Sequence, residues 1–289
     1  MDTSMLSFLV APFVASLILT GIHAYLGVHV VERGVIFVDL SLAQIAALGA
    51  TIAILLPISG GDPHAPVVYW ISLAFTFLGA LVFSMIRVKR ARIPQEAIIG
   101  ICYAVASAAS ILAMSKATSE SEHLKDMLVG NILAVSWPEV GKTAALYGAI
   151  GLFHFVFRKQ FLAISMDHRR AEAQGISVRL WDFLFYASFG FVVTSSVSIA
   201  GVLLVFCYLI VPSVAAMLYA DTVGKRLAIG WTMGTVVSAL GVYMSLQLDL
   251  PTGATIVCTF GLILIIMAAV RPLFPYATER ADAVQELRH

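Results

Sequence analysis

The sequence is poor in charged residues. Asp, Glu, Lys and Arg make up 12% of its 289 residues, whereas roughly 25% is typical of soluble domains. Hydrophobic residues make up 60%, and the mean hydropathy is +0.93. This composition predicts an integral membrane protein. The formal net charge of +1 gives no electrostatic reason to expect a nucleic-acid partner.

The motifs of membrane enzymes and metal clusters are also missing. No HExxH or GxSxG occurs, and the three cysteines, Cys102, Cys207 and Cys258, stand singly in apolar runs with no CxxC spacing. GKT at 141–143 resembles the end of a phosphate-binding loop, but Ser136 stands where GxxxxGK[ST] requires glycine. We therefore expect no catalytic residues, no bound cofactor and no ATP hydrolysis by this chain.

Long apolar runs are what the sequence has instead. A helix crosses the hydrocarbon core of a bilayer, about 30 Å thick, with about 20 mostly apolar residues. Such runs predict an all-α, polytopic membrane protein with about nine transmembrane helices, eight to ten being possible, and residues 1–289 form a single transmembrane domain. The predicted spans are 6–30, 35–57, 67–86, 96–115, 139–157, 180–199, 201–220, 227–247 and 252–270.

The apolar run 180–220 is too long for one span. Its only charge is Asp182. The sequence SVSIAG at 196–201 supplies polar residues and a glycine, as a turn requires. We predict two helices joined by a tight hairpin at this point.

Basic residues fall mainly in alternate connections. All of them except Lys116, Lys125 and Lys142 lie on one side of the predicted spans. Because Lys and Arg accumulate in cytoplasmic loops, this side is predicted to be cytoplasmic. The tail 271–289 is then cytoplasmic and, with nine spans, the N-terminus lies outside.

Asp39 is the only charge in the apolar stretch 34–57. A carboxylate at the centre of a membrane helix costs roughly 2.5 to 3.5 kcal/mol on insertion scales, so it is retained only where something cationic or aqueous meets it. Carboxylate oxygen is also a common ligand of hard and borderline divalent cations. Asp39 is therefore a predicted site residue.

A polar connection at 158–179 separates two predicted spans on the basic side. Within it, MDHRRAEAQGISV at 166–178 places small and apolar residues among charged ones, followed by a glycine that suits the end of a short helix. The segment is either an ordinary solvated loop or a short amphipathic helix that docks on a soluble partner.

Several segments, taken together and in order, resemble the permease subunits of ATP-binding-cassette importers for zinc, manganese and iron. They extend over about three quarters of the chain. These segments are FVDLSLAQIAALGA at 37–50, VGNILAVSWPEV at 129–140, EAQGISVRLWDFLFY at 172–186, AGVLLVFCYLIVPSVAAML at 200–218 and LDLPTGATIV at 248–257.

This resemblance implies a homodimeric permease in the bacterial cytoplasmic (inner) membrane. Its implied partners are a cytoplasmic ATPase, through which ATP acts, an extracytoplasmic metal-binding protein and the lipid bilayer. It also implies that Glu172, Ala173 and Gly175 couple the chain to the ATPase, and that Asp39 is a metal ligand or gating group on the translocation pathway.

The sequence departs from many relatives one helical turn after Asp39. The histidine that they carry there is replaced by Ala43, and Gln44 follows. Gln44 is therefore included as a pathway residue that offers an amide oxygen. His23, in the first span, is a further candidate for the pathway, or else a histidine hydrogen-bonded to a neighbouring helix.

The same features are compatible with a different class of protein. A stand-alone secondary transporter or cation channel would also use a buried acid such as Asp39. Co-purification with an ATPase, or transport that persists without nucleotide, separates the two alternatives. Zinc, manganese and iron are the alternative metals that the resemblance implies.

Overall fold

Helices make up the fold. The computed structural model describes residues 3–60, 62, 65–86, 94–115 and 132–273. Within these residues there are ten α-helices, three short 3-10 turns and no strand, so the predicted all-α class is confirmed. The helices are α1 Thr3–Glu32, α2 Val38–Leu55, α3 Pro66–Ile86, α4 Gln95–Met114, α5 Trp137–Val156, α6 Arg158–Met166, α7 His168–Ala173, α8 Val178–Met217, α9 Val223–Leu248 and α10 Thr252–Val270.

The number of spans differs from the prediction. In the described residues, seven helices are long and apolar enough to cross a membrane, and an eighth span results if α5 and α6, bent by 75° at their junction, form one broken span. The predicted count of about nine is not confirmed. The difference arises at 180–199 and 201–220, because both predicted spans belong to α8, which is 40 residues long.

α8 contains a break at Gly201. This residue has φ 75° and ψ 162° inside an otherwise helical segment, a conformation open essentially only to glycine. A straight helix of 40 residues would be about 60 Å long, twice the thickness of the hydrocarbon core. The break lies inside the predicted turn 196–201.

Both ends of α8 meet the same end of α1. Near the start of α8, Asp182 accepts a hydrogen bond from Nη1 of Arg33 at 2.6 Å. Directly after α8, the carbonyl of Ala220 accepts one from Nε of Arg226 at 2.8 Å, and Arg226 also pairs with Glu32. Because Glu32 and Arg33 are neighbours, α8 runs away from this end of α1 and returns, so the predicted hairpin is confirmed.

α1 and α8 form the centre of the molecule. α2 and α3 pack against α8, and α4 packs against α2; α9 and α10 also pack against α8, and α5 packs mainly against α1. Small residues permit close approach of membrane helices. At Gly27 of α1 an added Cβ would overlap the carbonyl oxygen of Leu209 and the hydroxyl of Ser213, both in α8.

The connections gather at two ends. Hydrogen bonds bring the end of α1 to the starts of α8 and α9, and Arg271, after α10, donates to the carbonyl of Leu218 at 3.3 Å. We call this the basic end, because Arg33, Arg226 and Arg271 lie there. The end with Gly201 and the 56–65 and 249–251 connections is the opposite end. Residues 87–93, 116–131 and most of the predicted tail 271–289 lie outside the described residues.

Candidate functional site

A tight corner joins α1 to α2 at the basic end. Gly34 has φ +66°, in the left-handed region that favours glycine, and the amide of Val35 donates to the carbonyl of Val30 at 3.2 Å. The corner ends where α2 begins at Val38, not at residue 35 as predicted. Asp39 therefore lies in the first turn of α2, near the basic end rather than at mid-span.

The Asp39 carboxylate is buried without a partner. Its residue is 1% exposed, and neither carboxylate oxygen has a hydrogen-bond partner. α2 as a whole packs against α3, α4 and α8.

The burial of this carboxylate costs more free energy than its position at the start of a helix recovers. The start of a helix favours an acid by about 0.3 to 1 kcal/mol, and by no more than about 2 in partly buried geometries. Burying an ionised group costs several kcal/mol. The position of Asp39 on α2 therefore does not offset its burial, and a bound cation, water or a proton must complete the compensation.

The neighbours of Asp39 on α2 offer few further donors. Ala43, one turn later on the same face, is 1% exposed and carries no polar group. The hydroxyl of Ser41 is buried without a partner, but two residues along a helix rotate it about 200° away from Asp39. Gln44 is partly exposed, and its role on a pathway stays a prediction.

His23 is held by contacts within the helix bundle. Its Nδ1 lies 2.8 Å from the carbonyl of Leu19, its Nε2 lies 3.2 Å from the hydroxyl of Ser196, and its ring meets Tyr147 edge-on. These partners belong to α1, α8 and α5, and none belongs to α2. The geometry matches a histidine bonded to a neighbouring helix, and a pathway role stays a prediction.

One chain does not present a full set of metal ligands. In the part of the chain that the structure describes, no group of three or more His, Cys, Asp or Glu side chains is placed to hold a metal ion. A single carboxylate is a sparse site. Sparse coordination suits an ion that must leave again, as in a conduction pathway.

The segment 166–178 carries the residues predicted to couple the chain to an ATPase, and we name it the coupling segment after that prediction. It contains a short helix. Asp167 caps α7, since its Oδ1 accepts hydrogen bonds from the amides of Arg169 at 3.1 Å and Arg170 at 3.0 Å. Gly175 follows the helix with φ +81°, and its amide donates to the carbonyl of Glu172 at 2.9 Å. Of the two alternatives for this segment, the structure has the short helix, with a glycine after its end.

The predicted coupling residues lie on the surface of this segment. Glu172, Ala173 and Gly175 are exposed, whereas Ala171 is 1% exposed and lies on the buried side of the helix. The connection 158–179 is mostly helical, because it consists of α6, α7 and the start of α8. Its exposed tip is available to a partner.

A buried polar cluster at the basic end was missed from the sequence. Arg33 donates from Nη1 to Asp182 at 2.6 Å and from Nε to the hydroxyl of Ser165 at 2.9 Å. Nδ1 of His29 lies 2.8 Å from the same hydroxyl. The side chains of Arg33 and Asp182 are 0% exposed. The sequence signal that could have revealed this cluster was Asp182, which is the only charge in its apolar run, just as Asp39 is in its own.

The cluster continues along α1 toward the centre of the bundle. The hydroxyl of Tyr25 lies 3.3 Å from Nδ1 of His154, and Nε2 of His154 lies 2.8 Å from the hydroxyl of Ser188. The His154 ring stacks on Phe161 at 4.2 Å between ring centroids. Tyr25, His154 and Ser188 each have a hydrogen-bond partner here, which distinguishes them from Asp39.

The chain is similar in sequence to membrane proteins of known transport systems. It is 28% identical over 217 residues to the manganese transport system membrane protein MntC of Listeria innocua, covering 73% of this chain and 77% of that protein. It is 25% identical over 251 residues to the chelated iron transport system membrane protein YfeC of Yersinia pestis, covering 87% and 82%.

A solved structure has the same fold. The structure of PsaBC from Streptococcus pneumoniae in complex with Fab contains a chain that matches with a TM-score of 0.74 and 25% identity, covering 90% of each chain. The model of the ABC 3 transport family matches residues 5–271. Because that match spans nearly all of α1 to α10, this chain belongs to the ABC 3 transport family.

Proposed function

We propose that this chain is the membrane permease subunit of an ATP-binding-cassette importer that carries a divalent transition metal ion into the bacterial cytoplasm. The family match supports the class of transporter. Relatives named for manganese and for chelated iron transport favour manganese or iron over zinc as the cargo. The chain itself is not an enzyme, and ATP is hydrolysed by a separate subunit.

The observation that carries the proposal is the Asp39 carboxylate. It is buried in the first turn of α2, and both its oxygens lack a hydrogen-bond partner. A transiently bound cation supplies the positive charge that balances this carboxylate, which the surrounding residues do not provide. In this conformation the carboxylate is closed off, and alternation between inward- and outward-open states exposes it to the ion.

A second copy of the chain fits the scarcity of ligands. One chain offers no cluster of three ligand side chains among the residues described, so two copies around a common axis would supply additional donors. We therefore propose a homodimer with the pathway between the copies, lined by Asp39 and, beside it, Gln44.

The two ends of the molecule take different partners in this proposal. The basic end faces the cytoplasm, as the distribution of Lys and Arg favours, and the exposed residues Glu172, Ala173 and Gly175 contact the ATPase. The metal-binding protein delivers its ion at the opposite end. If α8 counts as two crossings and the bent pair α5 and α6 as one, the seven candidate helices and this pair make nine spans. The proposed topology then has the N-terminus outside and the C-terminus in the cytoplasm.

Metal uptake by reconstituted complexes tests this function. The chain is incorporated into proteoliposomes with its cognate ATPase and binding protein, and ATP-dependent uptake of Mn²⁺, Fe²⁺ and Zn²⁺ is measured. We expect Asp39→Asn to lower uptake at least about tenfold, because a neutral amide forfeits more than about 1.4 kcal/mol of cation binding.

Asp221→Asn is the matched control. Asp221 lies at the same end but is exposed, so uptake should be unchanged. Wild-type rates of uptake for every metal in the Asp39→Asn protein would contradict the role of this carboxylate. Transport that proceeds without nucleotide would contradict the importer class and favour a secondary transporter.

A further inference from the structure

Arg33 joins both flanks of the coupling segment 166–178. Ser165 directly precedes that segment, and Asp182 follows it at the start of α8. Arg33 donates to the first at 2.9 Å and to the second at 2.6 Å. Hydrogen bonds of a guanidinium are charge-assisted and directional. The two flanks therefore cannot part from Arg33 without breaking strong contacts.

The contact is buried and reinforced. The guanidinium carbon of Arg33 lies 4.0 Å from the centre of the Phe185 ring, and His29, one turn earlier on α1, shares the Ser165 hydroxyl. Separation of a buried ion pair leaves uncompensated charges, which is strongly unfavourable. The ends of α1, α6 and α8 are thus expected to move together at this point.

Arg33 also stands at the corner that leads to Asp39. Gly34 and the hydrogen bond from Val35 to Val30 reverse the chain immediately after it. α2 then begins, with Asp39 in its first turn. A displacement of Arg33 is therefore applied to the short, hydrogen-bonded turn that positions the buried carboxylate.

We propose that Arg33 is a positioning residue that transmits movement of the coupling segment to the α1–α2 corner, and so opens or closes access to Asp39. The proposal rests on the proposed function, in which an ATPase displaces the coupling segment. Ser165 and Asp182 are the two attachment points of this link, and neither touches the transported ion.

The ratio of metal ions taken up to ATP molecules hydrolysed tests this link. It is measured in proteoliposomes that hold the permease with its cognate ATPase and binding protein. We expect Arg33→Gln to lower the ratio at least about fivefold, the lower range of typical coupling between sites. Ser165→Ala removes one of the two attachments and should lower the ratio to a smaller extent than Arg33→Gln, while ATP hydrolysis continues in both variants.

The ion pair of Glu32 and Arg226 provides the matched control. It lies at the same end of α1 but ties α1 to the start of α9, so Glu32→Gln should leave the ratio unchanged. Ser165→Ala keeps every charge in place, and the double variant with Arg33→Gln and Asp182→Asn leaves no unpaired charge. These two variants maintain the test if Arg33→Gln alone does not assemble.

The outcomes separate this link from a structural role and from failure of the proposed function. If uptake and ATP hydrolysis fall together, in proportion to the amount of assembled complex, Arg33 only stabilises the fold and the link is refuted. An unchanged ratio in Ser165→Ala and in the double variant refutes it as well. If the wild-type complex takes up no metal with ATP, the proposed function fails and the link fails with it.

Discussion

At the scale of single residues, two aspartates decide how the chain is interpreted. Asp39 and Asp182 are the two buried carboxylates among the described residues. Asp182 faces the Arg33 guanidinium, whereas Asp39 has no hydrogen-bond partner at either oxygen. One carboxylate therefore belongs to the support of the fold, and the other is kept at the expense of stability.

Substitution of each aspartate by leucine should change stability in opposite directions. Asp182→Leu leaves Arg33 buried without its counter-ion and should lower the free energy of unfolding by about 3 to 5 kcal/mol. Asp39→Leu removes an unpartnered polar group and should raise it by about 1 to 3 kcal/mol. Denaturant titration of the purified protein in mild detergent measures both. Equal losses in the two variants would contradict the difference in their surroundings.

The sequence revealed which residues are unusual, but not which residues they meet. Asp39 could be singled out because it is the only charge in its apolar stretch. Its lack of a partner could not be foreseen, because partners come from distant parts of the chain. Asp182 and Arg33 are 149 residues apart, and no local pattern connects them. For the same reason, the hydrogen bonds that hold His23 became visible only in the folded chain.

At the scale of helices, local sequence signals predicted where helices end better than they predicted which helix faces pack together. The glycine after α7 and the polar, glycine-containing turn in α8 were both foreseen, because a turn depends on a few neighbouring residues. The faces of the spanning helices were not, because a helix that is apolar all round shows no period to identify its buried side.

Gly27 in α1 provides a test of close packing between helices. Gly27→Ala would force an added Cβ against the carbonyl of Leu209 and the hydroxyl of Ser213, so we expect a loss of about 1 to 3 kcal/mol in the free energy of unfolding. Thermal unfolding of the purified protein in detergent measures the effect.

Gly21→Ala in the same helix is the control. An added Cβ there meets no atom within 4 Å, and alanine is favoured over glycine in a helix by roughly 0.5 to 1 kcal/mol. This variant should be as stable as the wild type or slightly more so. If the two alanine variants unfold alike, α1 and α8 do not approach as closely as the structure indicates.

At the scale of the whole molecule, the distribution of charge and the fold agree on two unlike ends. The basic side predicted from the sequence coincides with the end where α1, α8, α9 and α10 are joined by arginine contacts. Composition alone was enough to predict a polytopic helical membrane protein. The number of crossings was not, since it depends on how one 40-residue helix is folded and how another is bent.

Labelling of single cysteines should distinguish the two ends. In a background with the native cysteines replaced by alanine, Ala173→Cys lies in the coupling segment and Lys142→Cys lies toward the opposite end, and both positions are exposed. A membrane-impermeant maleimide should label Lys142→Cys in spheroplasts, and Ala173→Cys only after the membrane is opened. Labelling of both positions from the same side would overturn the orientation.

The break in α8 also determines what surrounds its backbone. The half that follows Gly201 has about 16 residues and reaches roughly 24 Å, less than the hydrocarbon thickness of about 30 Å. Lipid tails offer no hydrogen bonds to main-chain groups at such a break. Gly201 is buried, so neighbouring helices, and not the acyl chains of the lipid, surround the break.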